Sequence, residues 1–220
     1  MCLRTARKAK KDGVNQFIFL STVKVYGKYA EEEGPWNENS KCEPEDAYGK
    51  SKYAAELLLK ELEDENFVVS IVRTPLVYGE NVKANMRSII KLVDKFPILP
   101  LAHVNNKRSF TSVENLVAYI DRIIEKKASG VFIAKDEDAL STTDLVKYIS
   151  KYLEKKTLLF AIPNFLVKFF TFLYPKIFDR LYGSFEMENN QTLRQLDFAP
   201  PLSIEKGLEK MIKSYKGRKW

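Results

Sequence analysis

Short apolar runs alternate with amphipathic stretches along this chain, the rhythm of buried strands separated by helices. Leu3, Ala6 and Ala9 recur at helical spacing among Arg and Lys, so residues 1–12 read as helix, stopped by Gly13. Val14 to Leu20 reads as a short buried strand leading into a turn at Ser21-Thr22. Residues 28–46 are acidic, including Glu31-Glu32-Glu33, and carry Pro and Asn; they read as an irregular surface loop able to approach a ligand. Pro44-Glu45-Asp46 opens a helix through Leu62, with Ala54, Ala55, Leu58, Leu59 and Leu62 expected on one face. Phe67 to Val72 is a second buried strand, β-branched and closed by Arg73-Thr74-Pro75.

Downstream, a helix is expected from Asn85 to Lys95, then a Pro-punctuated stretch from Phe96 to Leu101 and a polar turn at Asn105-Asn106. Ser109 to Thr111 reads as extended, Val113 to Lys127 as helix and Gly130 to Ala134 as strand. Thr142 or Thr143 is expected to cap a helix to about Leu153, and a last helix runs from Ser203 to Tyr215. This alternation implies an α/β fold with a parallel sheet. The most apolar stretch, Leu158 to Phe178, is broken by Pro163, Asn164, Lys168, Pro175 and Lys176, too interrupted for a spanning helix. Its aromatics are expected in the core of small helices. A lipid-facing surface at Leu158 to Leu181 is the less favoured alternative.

Charge narrows the partners. The 36 Lys+Arg exceed the 29 Asp+Glu for a net +7, which permits an anionic ligand or a membrane surface without demanding either. No basic stripe interleaved with stacking aromatics appears, so nucleic acid is not an expected partner. Cys2 and Cys42 have no paired or metal-ligand spacing and suit a reducing compartment, so a cytoplasmic location is expected. His103 is the single histidine. That argues against a His-rich metal site and against a Ser-His-Asp triad, so no metal is expected. The Arg- and Lys-rich first residues do not read as a signal peptide.

Chemistry concentrates at Tyr48-Gly49-Lys50-Ser51-Lys52. Positions i and i+4 share a helix face, so the ammonium of Lys52 can lie near the phenol of Tyr48. A phenol is a poor base at neutral pH, and a nearby cation stabilises its phenolate. A hydroxyl at the exit of the first strand, Ser21 or Thr22, completes a proton-transfer device suited to a carbinol or ketone. Such a device needs a hydride acceptor beside it.

Together these segments resemble the extended short-chain dehydrogenase/reductase family, in its NAD-dependent nucleotide-sugar epimerase/dehydratase branch. Phe17 to Gly27 looks like the strand and loop carrying the family's catalytic hydroxyl, four residues before a Tyr-Gly pair; that position is Thr22, with Ser21 as the neighbour that could substitute. Ala47-Tyr48-Gly49-Lys50-Ser51-Lys52 resembles the helix of the catalytic tyrosine and lysine, and Arg73 to Gly79 the strand end that passes the nicotinamide. Lys107 to Val113 resembles the segment whose arginine binds the diphosphate, and Gln195 to Pro201 with the following helix start a C-terminal signature.

The resemblance implies the C-terminal part of a Rossmann-like parallel sheet with a smaller mixed α/β substrate-binding lobe. It implies Thr22, Tyr48 and Lys52 as catalytic residues. Tyr48, Lys52, Thr74 and Pro75 would contact the cofactor, NAD or NADP. Ser21, Thr22, Asn85 and Arg108 would bind the substrate, a UDP-hexose or UDP-N-acetylhexosamine used in surface-polysaccharide synthesis. Tyr48 would take the proton of the sugar 4-hydroxyl as hydride leaves C4, and return of the hydride to the other face would epimerise the sugar. The alternatives are a 4-keto-sugar nucleotide reductase and a non-catalytic fragment or nucleotide-sugar-binding protein.

The family's Gly-rich strand-to-helix turn, which receives the pyrophosphate, has no counterpart among Gly13, Gly27, Gly34 and Gly49. About three βα units, on the order of 90 residues, are therefore expected to be missing upstream. Residues 1–80 read as a partial Rossmann-like catalytic segment, and residues 81–220 mainly as the substrate lobe, with about 109–135 returning to the first part. A separate N-terminal half or a homodimer would be the expected protein partner.

Overall fold

The structure, a computed structural model, describes residues 2–28, 34–82 and 84–217. Glu31-Glu32-Glu33 lies outside the described residues. In chain order the elements are α1 (Cys2–Lys11), β1 (Gln16–Thr22), a 3-10 turn (Val23–Tyr26), α2 (Ala47–Lys60), β2 (Val68–Thr74), β3 (Leu76–Tyr78) and α3 (Ala84–Lys95). There follow β4 (Ile98–Leu99), β5 (Phe110–Ser112), α4 (Val113–Lys126), β6 (Gly130–Ile133), α5 (Thr142–Leu153) and β7 (Leu158–Leu159). The last four are α6 (Asn164–Leu173), α7 (Pro175–Tyr182), α8 (Asn190–Leu196) and α9 (Ile204–Lys216).

Two compact units emerge, each discontinuous in sequence. The first comprises Met1–Leu76, Val113–Lys135 and Met187–Pro201; the second comprises Val77–Ser112, Asp136–Glu186 and Leu202–Trp220.

A parallel sheet ordered β1-β2-β6 organises the first unit. Alternate residues of β2 face opposite sides, and both sides are covered. Val69 and Ile71 pack with Phe19, Ala6 of α1 and Leu59 of α2. Val72 and Phe132 pack on the other face with Tyr119 and Ile123 of α4 and Leu196 of α8. At roughly 25 cal/mol per Å² of apolar surface removed from water, this two-sided burial is the unit's main stabilisation. An α/β fold with a parallel sheet is what the alternating pattern implies.

Particular expectations need correction. Strand β1 continues through Ser21 and Thr22, so these residues are not a turn; the chain bends only at Val23–Tyr26. Helix α2 buries Glu56 and Leu59 while Leu58 is 41% exposed, so its inward face is rotated from the one assigned by its aliphatic residues. Its carboxylate at Glu56 is held by a buried partner, which lets a charge occupy a core position. The 34–46 stretch is anchored in the unit: Trp36 bridges to Met187, and buried Glu38 accepts hydrogen bonds from the backbone N–H and hydroxyl of Thr192.

In the second unit β3 pairs with β5 and β4 runs parallel to β7, while α5 packs against α3 and α9. Ser141, not Thr142 or Thr143, caps α5, accepting the N–H of Asp144 at 3.0 Å. Asn106 is buried rather than presented on a turn: its amide donates to Gly183 O at 2.9 Å and its carbonyl accepts from Thr142 N at 2.8 Å. Tyr78 donates to Asp136 Oδ2 at 2.6 Å inside this unit. Three aromatics of α6 are not core residues: Phe165, Phe169 and Phe172 are 70%, 56% and 85% exposed, while Phe170 stacks on Phe178. Among the described residues no helix is long and apolar enough to cross a membrane.

Candidate active site

Parallel pairing fixes the floor of the site. The register sets Ser21 opposite Arg73 and Thr22 opposite Thr74, at the C-terminal ends of β1 and β2. The Thr74 hydroxyl donates to Ser21 O at 3.2 Å, and buried Pro75 then ends the strand. Such strand ends are where open parallel sheets bind ligands.

Because Ser21 and Thr22 are successive strand residues, their side chains face opposite sides. Ser21 is buried and its hydroxyl donates to Glu56. Thr22 instead caps the 3-10 turn, its hydroxyl accepting the N–H of Lys24 at 3.4 Å. The structure therefore separates the two hydroxyls that the sequence left as interchangeable.

Asp46 sets the start of α2, its carboxylate accepting the N–H of Gly49 at 2.6 Å. Backbone N–H donation from Gly49, then the Lys24 ammonium at 2.5 Å, hold this carboxyl below its ordinary range. Gly49 is required by close approach: a Cβ there would sit 2.7 Å from Lys24 O and 3.1 Å from the Pro44 side chain. The turn after β1 thus lies directly on the first turn of α2.

Tyr48 emerges from that first turn 52% exposed. The Lys52 ammonium is 5.9 Å from the centre of its ring and donates to Leu20 O at 2.9 Å, which ties α2 to β1. Lys24 supplies a second ammonium, 6.0 Å from the same ring centre. Both ammoniums lie within cation–π range of the ring. Lys24 escaped the sequence reading, since nothing in the spacing of Lys24 and Tyr48 places them together.

Beneath these groups lies a buried charged network. Arg73 Nη2 donates to Glu56 Oε2 at 2.6 Å and Nη1 donates to the Tyr26 hydroxyl at 2.9 Å. Tyr26 stacks on Trp36 with ring centres 5.5 Å apart. Burial pushes the Tyr26 phenol up to about 12, with Arg73 opposing the shift. The Arg73 guanidinium is raised from its ordinary value: burial works against the charge, but hydrogen bonding to Glu56 together with the charges of Tyr26, Glu56 and Cys42 outweighs it. At the end of β2 the Arg73 side chain is a fixed internal strut, held by Glu56 and Tyr26.

Arg108 belongs to the second unit. Its Nη1 donates to Asp179 O at 3.2 Å and Gly183 O at 2.9 Å, clasping the end of α7. Burial lowers its basicity, with Arg180 adding to the effect. Asn85 falls in the first turn of α3, and its side chain lies outside the described residues. Among the described residues no cluster of His, Cys, Asp and Glu could hold a metal ion.

Residues 1–133 match the NAD dependent epimerase/dehydratase family. The chain belongs to this family. A UDP-glucose 4-epimerase of Vibrio cholerae is 35% identical over 216 residues, covering 96% of this chain and 66% of its own length. An N-acetyl-alpha-D-glucosaminyl-diphospho-ditrans,octacis-undecaprenol 4-epimerase of Escherichia coli O157:H7 is 30% identical over 152 residues, covering 67% of this chain and 45% of its own length. The chain therefore spans less than two thirds of the length of these curated relatives. The solved structure of UDP-N-acetylglucosamine 4-epimerase from Bacillus cereus shares the fold, with TM-score 0.81 at 20% identity over 98% of this chain and 71% of that one. UDP-glucuronic acid 4-epimerase from Bacillus cereus in complex with NAD matches with TM-score 0.76 at 19% identity, over 98% and 66% of the two chains. The epimerase/dehydratase assignment and the Rossmann-like α/β fold agree with each other.

Proposed function

We propose that this chain supplies the proton-transfer residues of a nucleotide-sugar 4-epimerase acting on a UDP-hexose or UDP-N-acetylhexosamine in surface-polysaccharide synthesis. The observation that carries the proposal is the exposed phenol of Tyr48, flanked by the Lys52 and Lys24 ammoniums. The kinship with 4-epimerases supports it.

The donor set fits the ribose end of a nicotinamide nucleotide. Lys52 carries three donors, one of which Leu20 O accepts, and Tyr48 stands one helical turn before it. No Gly-rich turn is present in these 220 residues, so none of them is assigned to the pyrophosphate. When bound, NAD or NADP supplies the acceptor and donor of hydride at the sugar C4. Tyr48 takes the proton from the 4-hydroxyl and gives it back to the 4-keto oxygen. Thr22, at the end of β1, hydrogen-bonds that oxygen, while the Lys52 and Lys24 ammoniums stand beside the Tyr48 ring. Arg108 offers a planar fork suited to the phosphate oxygens of the nucleotide diphosphate.

The test is turnover of UDP-N-acetylglucosamine and UDP-glucose with NAD, with and without a polypeptide supplying a family member's Gly-rich βαβ segment. Tyr48→Phe is expected to lower the rate by roughly 10²–10⁴-fold, the range for a positioned acid–base group. Unchanged turnover in Tyr48→Phe would remove this residue from the chemistry.

A further inference from the structure

Helix α6 carries Phe165, Phe169 and Phe172 at i, i+4 and i+7, so one stripe presents three phenylalanine rings to solvent. Leu173 and Tyr174 extend it, at 48% and 56% exposure. The stripe cannot simply roll inward, because the rest of the hairpin is pinned. Phe170 stacks on Phe178, Phe178 stacks on Tyr182, and the Tyr182 hydroxyl donates to Pro100 O at 2.7 Å. Arg108 clasps the carbonyls at the end of α7. Exposed Ile98 and Leu158, paired in the β4–β7 ribbon, and exposed Phe160 add apolar surface in the same unit. So much aromatic surface exposed in one unit marks an interaction face rather than ordinary scatter.

Charge decides what it fits. From residue 155 to 182 the chain carries Lys155, Lys156, Lys168, Lys176 and Arg180 against Asp179, with Lys155 paired to Asp94 from outside the segment. Lys156 and Arg180 are exposed, and exposed Lys95 lies 5.5 Å from the centre of the Phe96 ring. Two copies meeting symmetrically through this face would bring these cations together. An anionic lipid surface neutralises them while the phenylalanines enter the acyl boundary, the division of labour of interfacial helices. We propose that α6 and its basic flanks dock the second unit on an anionic membrane surface, lying on the bilayer without crossing it.

The experiment uses the full chain and sucrose-loaded vesicles, either pure phosphatidylcholine or phosphatidylcholine with phosphatidylglycerol. The chain is expected to sediment with the anionic vesicles, less with the zwitterionic ones, and less again as salt rises. The triple variant Phe165→Ser, Phe169→Ser, Phe172→Ser is expected to keep its circular dichroism and to lose binding by about tenfold or more. Lys156→Glu with Arg180→Glu is expected to lose the preference for anionic vesicles. Failure of the unaltered chain to bind, or equal binding by the folded triple variant, overturns the proposal. So does lipid-free self-association abolished by the triple substitution, which would assign the stripe to protein contact.

Discussion

Arg73 donates through Nε and Nη2 to both carboxylate oxygens of Glu56, and the two side chains are 4% and 1% exposed. Removing one partner leaves the other charge buried alone, which costs about 3–5 kcal/mol. Glu56→Ala is therefore expected to lower the denaturation midpoint steeply. An apolar replacement of both, Arg73→Met with Glu56→Leu, is expected to cost less than Glu56→Ala alone. Urea unfolding of the three variants checks the ordering.

Tyr26 lies against the same guanidinium. Burial pushes its phenol up from 10.0 to about 12, so the folded state keeps this proton where the unfolded chain has released it. The stabilisation this confers is complete below pH 10 and drains away as the pH rises toward 12. The stability difference between the unaltered chain and Tyr26→Phe should shift against the unaltered chain through that window. Unfolding midpoints at pH 9 and pH 11 measure it; a constant difference would contradict the burial argument.

Asp46 makes the opposite prediction at the acid end. Its carboxyl is held low, chiefly by the Gly49 N–H, so its contribution is present above the ordinary carboxylate range and lost as the pH falls through the lowered value. Asp46→Ala is expected to cost about 0.5–2 kcal/mol at neutral pH, as loss of a helix N-cap does. The penalty should shrink in strong acid. Denaturation of both proteins at pH 7 and at pH 2 decides this.

Gly49→Ala separates two expectations of opposite sign. Helix propensity alone favours alanine by about 1 kcal/mol. Contact with Lys24 O at 2.7 Å forces the turn off α2, and overpacking of this kind costs about 1–3 kcal/mol. Net destabilisation is expected, and a more stable variant would show that the turn and helix are not so closely apposed.

Much of the fold was legible because apolar periodicity reports burial directly. Helix α5 runs over the residues assigned to it, and β1, β2 and β6 fall within two residues of their expected bounds. The site was legible in part. Tyr48 and Lys52 are a local pair, and helical spacing alone brings them to one face. The Arg73–Glu56–Tyr26 network was hidden because it joins a strand, a helix and a turn far apart in sequence, and a charged residue in a pattern reads as exposed. Lys24 was missed for the same reason. The phenylalanines of α6 failed in the other direction: apolarity measures what water rejects, without saying whether protein covers it.

The interleaving of the two units bears on how the protein is made. Strands β1 and β2 and helix α2 are made before Tyr119, Phe132 and Leu196, which cover the other face of β2 and arrive only with α4, β6 and α8. The nascent β1–α2–β2 segment therefore waits, one side packed and the other bare, until residue 196 of 220 has emerged. The same order of arrival means that no single uninterrupted stretch contains either unit alone. Until then the bare face of its first sheet is the apolar surface most open to misassociation during synthesis.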